Sequence, residues 1–273
     1  MLGRDVERAA REVGHEPVVL TRSELDITDR DVLERVFIEH NPDAVVNCAA
    51  WTNVDAAEEH EVEATDANGD GAGNVAAAAA AVGAAVVHPS TDYVFDGTKE
   101  QGYVESDRVN PISAYGRSKL VGEREVAAFN PRHWIVRSSW LFGVNGRNFV
   151  ETMLGLAQDR EEVIVVRDQV GCPTYTGHLA AGLVRLLDGE DYGLHHMAGG
   201  GRCSWYDFAV EIFNQAGVDC RVLSMTSDML ERPAPRPPFS VLASEREHPV
   251  LLPDWHEGLA AYLADRAQTE VSA

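Results

Sequence analysis

Apolar positions along the chain fall into two alternating rhythms. Val6, Ala9, Ala10 and Val13 recur at helical spacing, and Gly14 follows as a stop signal. The apolar run PVVLT (17–21) then has strand length, and DRDVLERVFIEH (29–40) returns to helical spacing with Val32, Leu33, Val36 and Phe37 on one face. DAVVNCAA (43–50) reads as a second buried strand. GNVAAAAAAVG (73–83) reads as a helix of small residues suited to close packing on a sheet, and AAVVHPS (84–90) as the next strand. After a long loop (91–112) come a helix over 113–129 and a strand over 133–140. This alternation predicts an α/β fold, a doubly wound parallel sheet of Rossmann type with helices on both faces.

From about residue 145 the pattern loosens. Helices near 147–159, 176–188 and 204–216 are separated by VIVV (163–166), GLHHMA (193–198) and RPAPRPPFS (232–240). The prolines deny that last stretch a regular ladder and predict an ordered loop over a cleft. The expected division is a dinucleotide-binding core over 1–145 and a mainly substrate-binding region over 146–273, some of whose segments return to the core. A doubly wound dinucleotide fold opens with a strand and a Gly-rich turn feeding its first helix. Here that helix starts almost at Met1, with Gly3 in the place of the turn's last glycine. We read this as a clipped or misassigned start in preference to a lost phosphate cradle.

Composition narrows the function classes. Acidic residues number 44 against 23 basic, a net charge of −21, and such a surface repels nucleic acid and anionic membrane. Acid excess with 21 arginines and only two lysines is the balance of a protein from salt-rich cytoplasm. No apolar run approaches the roughly 20 residues of a bilayer span, and MLGRDVERAAREVG has no secretory core, so the cytoplasm is expected. Cys48, Cys172, Cys203 and Cys220 are far apart and read as free buried thiols. His195 and His196 are neighbours on a strand, so they point to opposite faces and do not share a metal. No metal site is expected.

One of the two lysines, Lys119, lies in SAYGRSKLVGE (113–123), four residues after Tyr115. On a helix both side chains share a face about a turn apart. A phenol titrates near pH ~10, and a nearby ammonium is expected to lower that value toward useful proton exchange. Lysine's compact charge has three rotatable donors that reach a ribose hydroxyl as well, whereas arginine's planar fork sets its charge elsewhere. Upstream, HPSTDYVFDG (88–97) puts Ser90, Thr91 and Asp92 at a strand's C-terminal end, where hydroxyls stabilise a developing alkoxide. Small residues in NCAAWTNVD (47–55) leave room for a flat cofactor.

These stretches, with ELDITD (24–29), NPISAYGRSKLVGE (110–123), VRSSWLFG (136–143), VVRDQVGCPTYTGHLA (165–180), SWYDFA (204–209) and RPAPRPPFSVL (232–242), carry a resemblance over nearly the whole chain. It is to the dTDP-4-dehydrorhamnose reductase family of extended short-chain dehydrogenases/reductases. The resemblance implies reduction of a C4 keto group on a nucleotide sugar by NADPH or NADH. Tyr115 is then the proton donor, Thr91 a hydrogen-bonding partner of the C4 oxygen, and Lys119 the holder of the nicotinamide ribose. Asp26 and Ile27 match positions lining the adenine, and Ala49, Ala50 and Thr52 match those beneath phosphates and ribose. Asp92 and Trp140 match sugar-contacting positions. A nucleotide diphosphate needs a cationic patch, for which Arg202, Arg232 and Arg236 in the C-terminal loops are candidates. Arg22, with Thr21 in place of an acid, favours a 2′-phosphate and hence NADPH. The resemblance also leaves a homodimer open. The alternative is a non-catalytic relative, such as the regulatory subunit of methionine adenosyltransferase in the same family.

Overall fold

The computed structural model describes residues 1–272. The first half of the chain runs α1 (Leu2–Glu12), α2 (Arg30–His40), β1 (Ala44–Val46), α3 (Ala56–Glu59), α4 (Glu61–Thr65), a π-helical turn (66–70), α5 (Gly71–Ala81), β2 (Ala85–Thr91) and α6 (Ala114–Phe129). It continues with β3 (His133–Ser138), β4 (Leu141–Phe142), α7 (Phe149–Leu156), β5 (Glu162–Val166), β6 (Val170–Gly171), β7 (Thr174–Tyr175) and α8 (Thr176–Leu186). The last elements are β8 (Gly193–His196), β9 (Cys203–Ser204), α9 (Trp205–Ala216), β10 (Arg221–Met225) and α10 (Trp255–Ser272).

Four strands form the central sheet in the order β1-β2-β3-β8, every pair parallel. Alternation along β2 explains the two covered faces. Ala85 and Val87 join Val6, Ala9 and Ala10 of α1 and Leu179 and Leu183 of α8 in one apolar layer. Val86 points the other way, into a layer with Leu33 and Phe37 of α2, Val75 of α5 and Val126 of α6. The doubly wound α/β expectation therefore holds. A third apolar cluster lies in the second half, where Phe142, Val163, Phe208, Ile212, Leu259 and Tyr262 bring β4, β5, α9 and α10 together. There β5 pairs in parallel with β10.

One expected strand is absent. Residues 17–21 adopt no ladder, and Val18, Val19 and Leu20 are 60%, 46% and 40% exposed. The reason is pairing: among the described residues β1 bonds only to β2 and ends the sheet, so the apolar run finds no hydrogen-bonded neighbour there to make it a strand. The proline-rich stretch is ordered, as expected, but as a strap pinned by particular bonds. Val170 N donates to Pro238 O and Ser240 N to Val170 O, while Arg236 grips Asp55 with both terminal nitrogens at 2.7 and 2.8 Å.

Candidate active site

The C-terminal end of β2 and the first turns of α6 build the site. β2 ends at Thr91, whose Oγ1 accepts the Tyr93 amide at 3.1 Å and so caps the turn beginning at Asp92. α6 starts from Ser113, whose side chain accepts the Gly116 amide at 3.1 Å. Gly116 allows that turn to seat on the one after β2: a Cβ there would lie 2.2 Å from the Tyr93 carbonyl oxygen. This close approach brings Tyr115 against Thr91 and edge-on to Tyr93, the two rings 5.8 Å apart.

Burial pushes the Tyr115 phenol up to about 12, with the Thr91 hydroxyl pulling the other way and the Asp92 charge adding to the rise. The expectation that the lysine lowers this phenol is not met. The Lys119 ammonium turns toward β2, where it donates to Pro89 O at 2.7 Å and to His88 Nε2 at 3.3 Å. Desolvation takes Lys119 down to about 8, against the opposing pull of Glu123 and Cys48. His88 is held neutral, well below its ordinary range, by burial and the neighbouring ammonium, and its Nδ1 has no partner.

Beneath these residues lies a polar network that the sequence reading missed. Glu123 continues the Tyr115–Lys119 stripe one turn further, and both its oxygens meet Arg137 of β3, at 2.9 and 2.7 Å. Ser90 donates to the same carboxylate at 2.5 Å, and both partners of the ion pair are almost wholly buried. The signal was an arginine inside the apolar run HWIVRS, a charge that only a buried partner accommodates. Arg137 also meets Nε2 of His196, whose Nδ1 donates to the Tyr103 and Ala243 carbonyls. His195 bonds instead to Asp191 O, so the two histidines do face opposite ways.

The remaining expected positions are distributed over several elements. Trp140 has a left-handed backbone, φ 49°, and its ring stacks on Trp205 at 3.5 Å, 4° from parallel. Trp205, within the matching stretch SWYDFA but not among the expected site residues, opens α9 behind the capping box of Ser204 and Asp207. Asp92 is buried beside Thr91, and burial lifts its carboxyl to about 7. Ala49, Ala50 and Thr52 form an exposed shelf past β1, where the buried Asn47 Nδ2 has no partner. Gly3 stands in the first turn of α1, which has no side-chain cap, facing Cys48. Asp26 accepts the Thr28 amide and hydroxyl, and Ile27 packs on Gly71. Thr21 bonds to Glu24, and Arg22 is exposed beside Asp26. Arg202 and Arg232 are exposed, but Arg236 is committed to Asp55 and is not a free cation for a phosphate.

Such a surface fits a nicotinamide dinucleotide. A shelf of small residues, an orphaned amide donor, uncapped helix amides and a buried ammonium with one of three donors unused suit phosphates and ribose.

The family model for the RmlD substrate binding domain matches residues 1–268. A dTDP-4-dehydrorhamnose reductase of Mycolicibacterium smegmatis is 43% identical over 95% of this chain and 81% of its own length. The spore coat polysaccharide biosynthesis protein SpsK of Bacillus subtilis is 39% identical over 97% of this chain and 94% of its own. A dTDP-4-dehydrorhamnose reductase structure from Clostridium acetobutylicum superposes with a TM-score of 0.94 at 44% identity, covering 98% of this chain and 96% of that one. The Bacillus anthracis reductase, solved in complex with NADP, gives 0.94 at 37% identity, covering 97% and 95%. The conjunction of the Thr91–Tyr115–Lys119 corner with these matches along the whole chain means that this protein belongs to the RmlD family, among the dTDP-4-dehydrorhamnose reductases.

Proposed function

We propose that the protein reduces the C4 keto group of dTDP-4-dehydro-L-rhamnose to dTDP-L-rhamnose, with NADPH as the reductant. The observation that carries this reading is the placing of Tyr115 against Thr91 by the Gly116 contact, with Lys119 one turn along the same helix. The reductase relatives support an enzyme over a binding subunit.

A nicotinamide held by these residues would supply the hydride for C4. Tyr115 stays protonated at neutral pH, because burial holds it near 12, and it yields its proton only to a strong base such as the alkoxide developing on the C4 oxygen. Thr91, its Oγ1 fixed by the Tyr93 amide, would turn its hydroxyl from Asp92 Oδ1 to that oxygen. Lys119, anchored on Pro89 O and His88, turns its remaining donor to the nicotinamide ribose. Trp140, backed by Trp205, offers the apolar face of the deoxysugar a flat platform. Asp92 backs Thr91 on the sugar side, and the exposed Arg202 and Arg232 are the cations left for the diphosphate.

Asp26, Ile27, Ala49, Ala50 and Thr52 serve the cofactor with residues 1–145, and Arg22 beside Thr21 selects the 2′-phosphate. The substrate region is then 146–273, with β8 and α8 returned to the central sheet. Among the described residues no helix is long and apolar enough to cross a membrane. The −21 net charge supports a cytoplasmic, salt-adapted enzyme that binds neither nucleic acid nor anionic membrane.

Tyr115→Phe tests the assignment. Turnover should fall at least about 10²-fold while NADPH binding, read by nicotinamide fluorescence, holds within about twofold. Undiminished turnover removes Tyr115 as the proton donor.

A further inference from the structure

Each reduction takes one proton from Tyr115, and the phenol must be recharged. Resting on the reductase reading, we propose that Asp92 is the proton source for Tyr115, passing its proton through the Thr91 hydroxyl.

Asp92 is 2% exposed, its Oδ1 lies 3.1 Å from Thr91 Oγ1, and its Oδ2 has no hydrogen-bond partner. A carboxylate so enclosed normally holds a cation or several amides. Here its surroundings are neutral on every side. Tyr93 faces it from its own turn, Tyr115 from α6, Cys172 from the segment before β7, and Ser240 from the proline-rich strap. Arg236 and Arg232 lie beyond, toward Tyr93, and Arg236 is bound to Asp55. Burial accordingly lifts the Asp92 carboxyl to about 7, so a substantial share of it carries a proton at neutral pH. Tyr115, near 12, is by far the stronger base once it has given up its proton.

Thr91 is the bridge. Its oxygen is fixed by the Tyr93 amide at 3.1 Å and its proton lies on Asp92 Oδ1 at 3.1 Å, so that a rotation about its C–O bond would turn it to the neighbouring Tyr115. As the Tyr115 O–H bond breaks, an O–H bond forms on the C4 oxygen. The phenolate then takes the Thr91 hydroxyl proton, and Thr91 takes the proton from Asp92. Thr91 and Tyr115 end as they began, Asp92 is left as a carboxylate, and solvent reprotonates it after product leaves. No electrons move in this relay.

The test uses the 273-residue chain with Asp92→Asn, which keeps the shape of the side chain. For the wild type, kcat should fall as pH rises through about 7, the limb of a single ionisation. D92N should lose that limb and run at least about tenfold slower at pH 6. Ser240→Ala, which removes a hydroxyl favouring the carboxylate, should move the limb to higher pH. Infrared spectra of the cofactor-free chain should show a protonated-carboxyl band that fades through the same pH range and is missing from D92N. A D92N enzyme with the wild-type limb and rate, or with only a raised KM, overturns the relay and leaves the reductase standing. A wild-type chain that turns over no nucleotide sugar with either nicotinamide overturns the reductase reading and the relay with it.

Discussion

Lys119 is the residue whose placement costs the fold most directly. Its ammonium is buried against a carbonyl and a neutral imidazole, with Glu123 attracting it from one turn away. The unfolded chain keeps this proton up to about 10.5, whereas the folded chain releases it near 8. Between those values the unfolded state binds more protons, so stability rises with pH across the window. Below 8 the folded protein bears the full penalty, of order 3 kcal/mol. Lys119→Met should therefore be more stable than wild type by about that amount at pH 7, the gain fading by about pH 10.5, while the nicotinamide is bound poorly. Urea denaturation at the two pH values checks it, and equal stabilities at pH 7 would mean that Glu123 compensates the burial completely. Lys119→Arg should fall behind wild type only above about pH 8, because a guanidinium cannot discharge as the lysine does there. At this scale the sequence made the chemistry legible: a lysine kept in an arginine-rich chain, at helical spacing from a tyrosine. What it concealed was the direction in which that lysine points. Spacing fixes a shared helix face, but the acceptors that draw Nζ away from the phenol, Pro89 O and His88, belong to a strand packed from elsewhere.

Helix α6 turns these residues into a rigid constellation. Tyr115, Lys119 and Glu123 repeat every four residues, and each meets a different partner on β2 or β3. Glu123 is held by Arg137 and Ser90 in a pair that water scarcely reaches. Arg137→Met would leave the carboxylate buried without its cation, at a cost of about 3–5 kcal/mol. Adding Glu123→Gln to that variant should recover part of the loss, since the orphaned charge goes with it. A double-mutant cycle by urea unfolding measures this coupling; additive losses would make Arg137 and Glu123 independent. Elements such as α6 were legible nearly to the residue, because a Ser113 cap and helical spacing are local signals. The strand expected at 17–21 was not, because a strand is defined by the partner beside it and β1 bonds only to β2. Strand β10, half-exposed along RVLSM, shows no clear alternation and takes its form from β5. Helix α10 was not among the expected elements, although Trp255, Leu259 and Tyr262 stand at helical spacing, and their shared cluster with Phe142 and Phe208 comes from the far side of the chain.

Over the whole molecule, charge is the dominant long-range term. Many arginines are already paired, among them Arg117 with Glu61, Arg137 with Glu123 and Arg236 with Asp55, which leaves a surface in excess of carboxylates. The net charge of −21 makes the compact state repel itself, and it also repels an incoming dinucleotide phosphate. Salt acts on both. The screening length shortens from about 10 Å at 0.1 M to about 3 Å at 1 M, less than the spacing of most surface charges. Relief of a few kcal/mol of repulsion should raise Tm by about 5–10 °C between 0.1 and 2 M NaCl. Over the same range the association rate for NADPH should increase, because screening removes a repulsive approach. A site governed by steering from Arg22 or Arg202 would behave oppositely, since the same ions would screen an attraction. Stopped-flow nicotinamide fluorescence at several salt concentrations separates the two. A rate that climbs with salt means the acidic surface sets the encounter, and one that falls means a local cationic patch near the site outweighs the net charge.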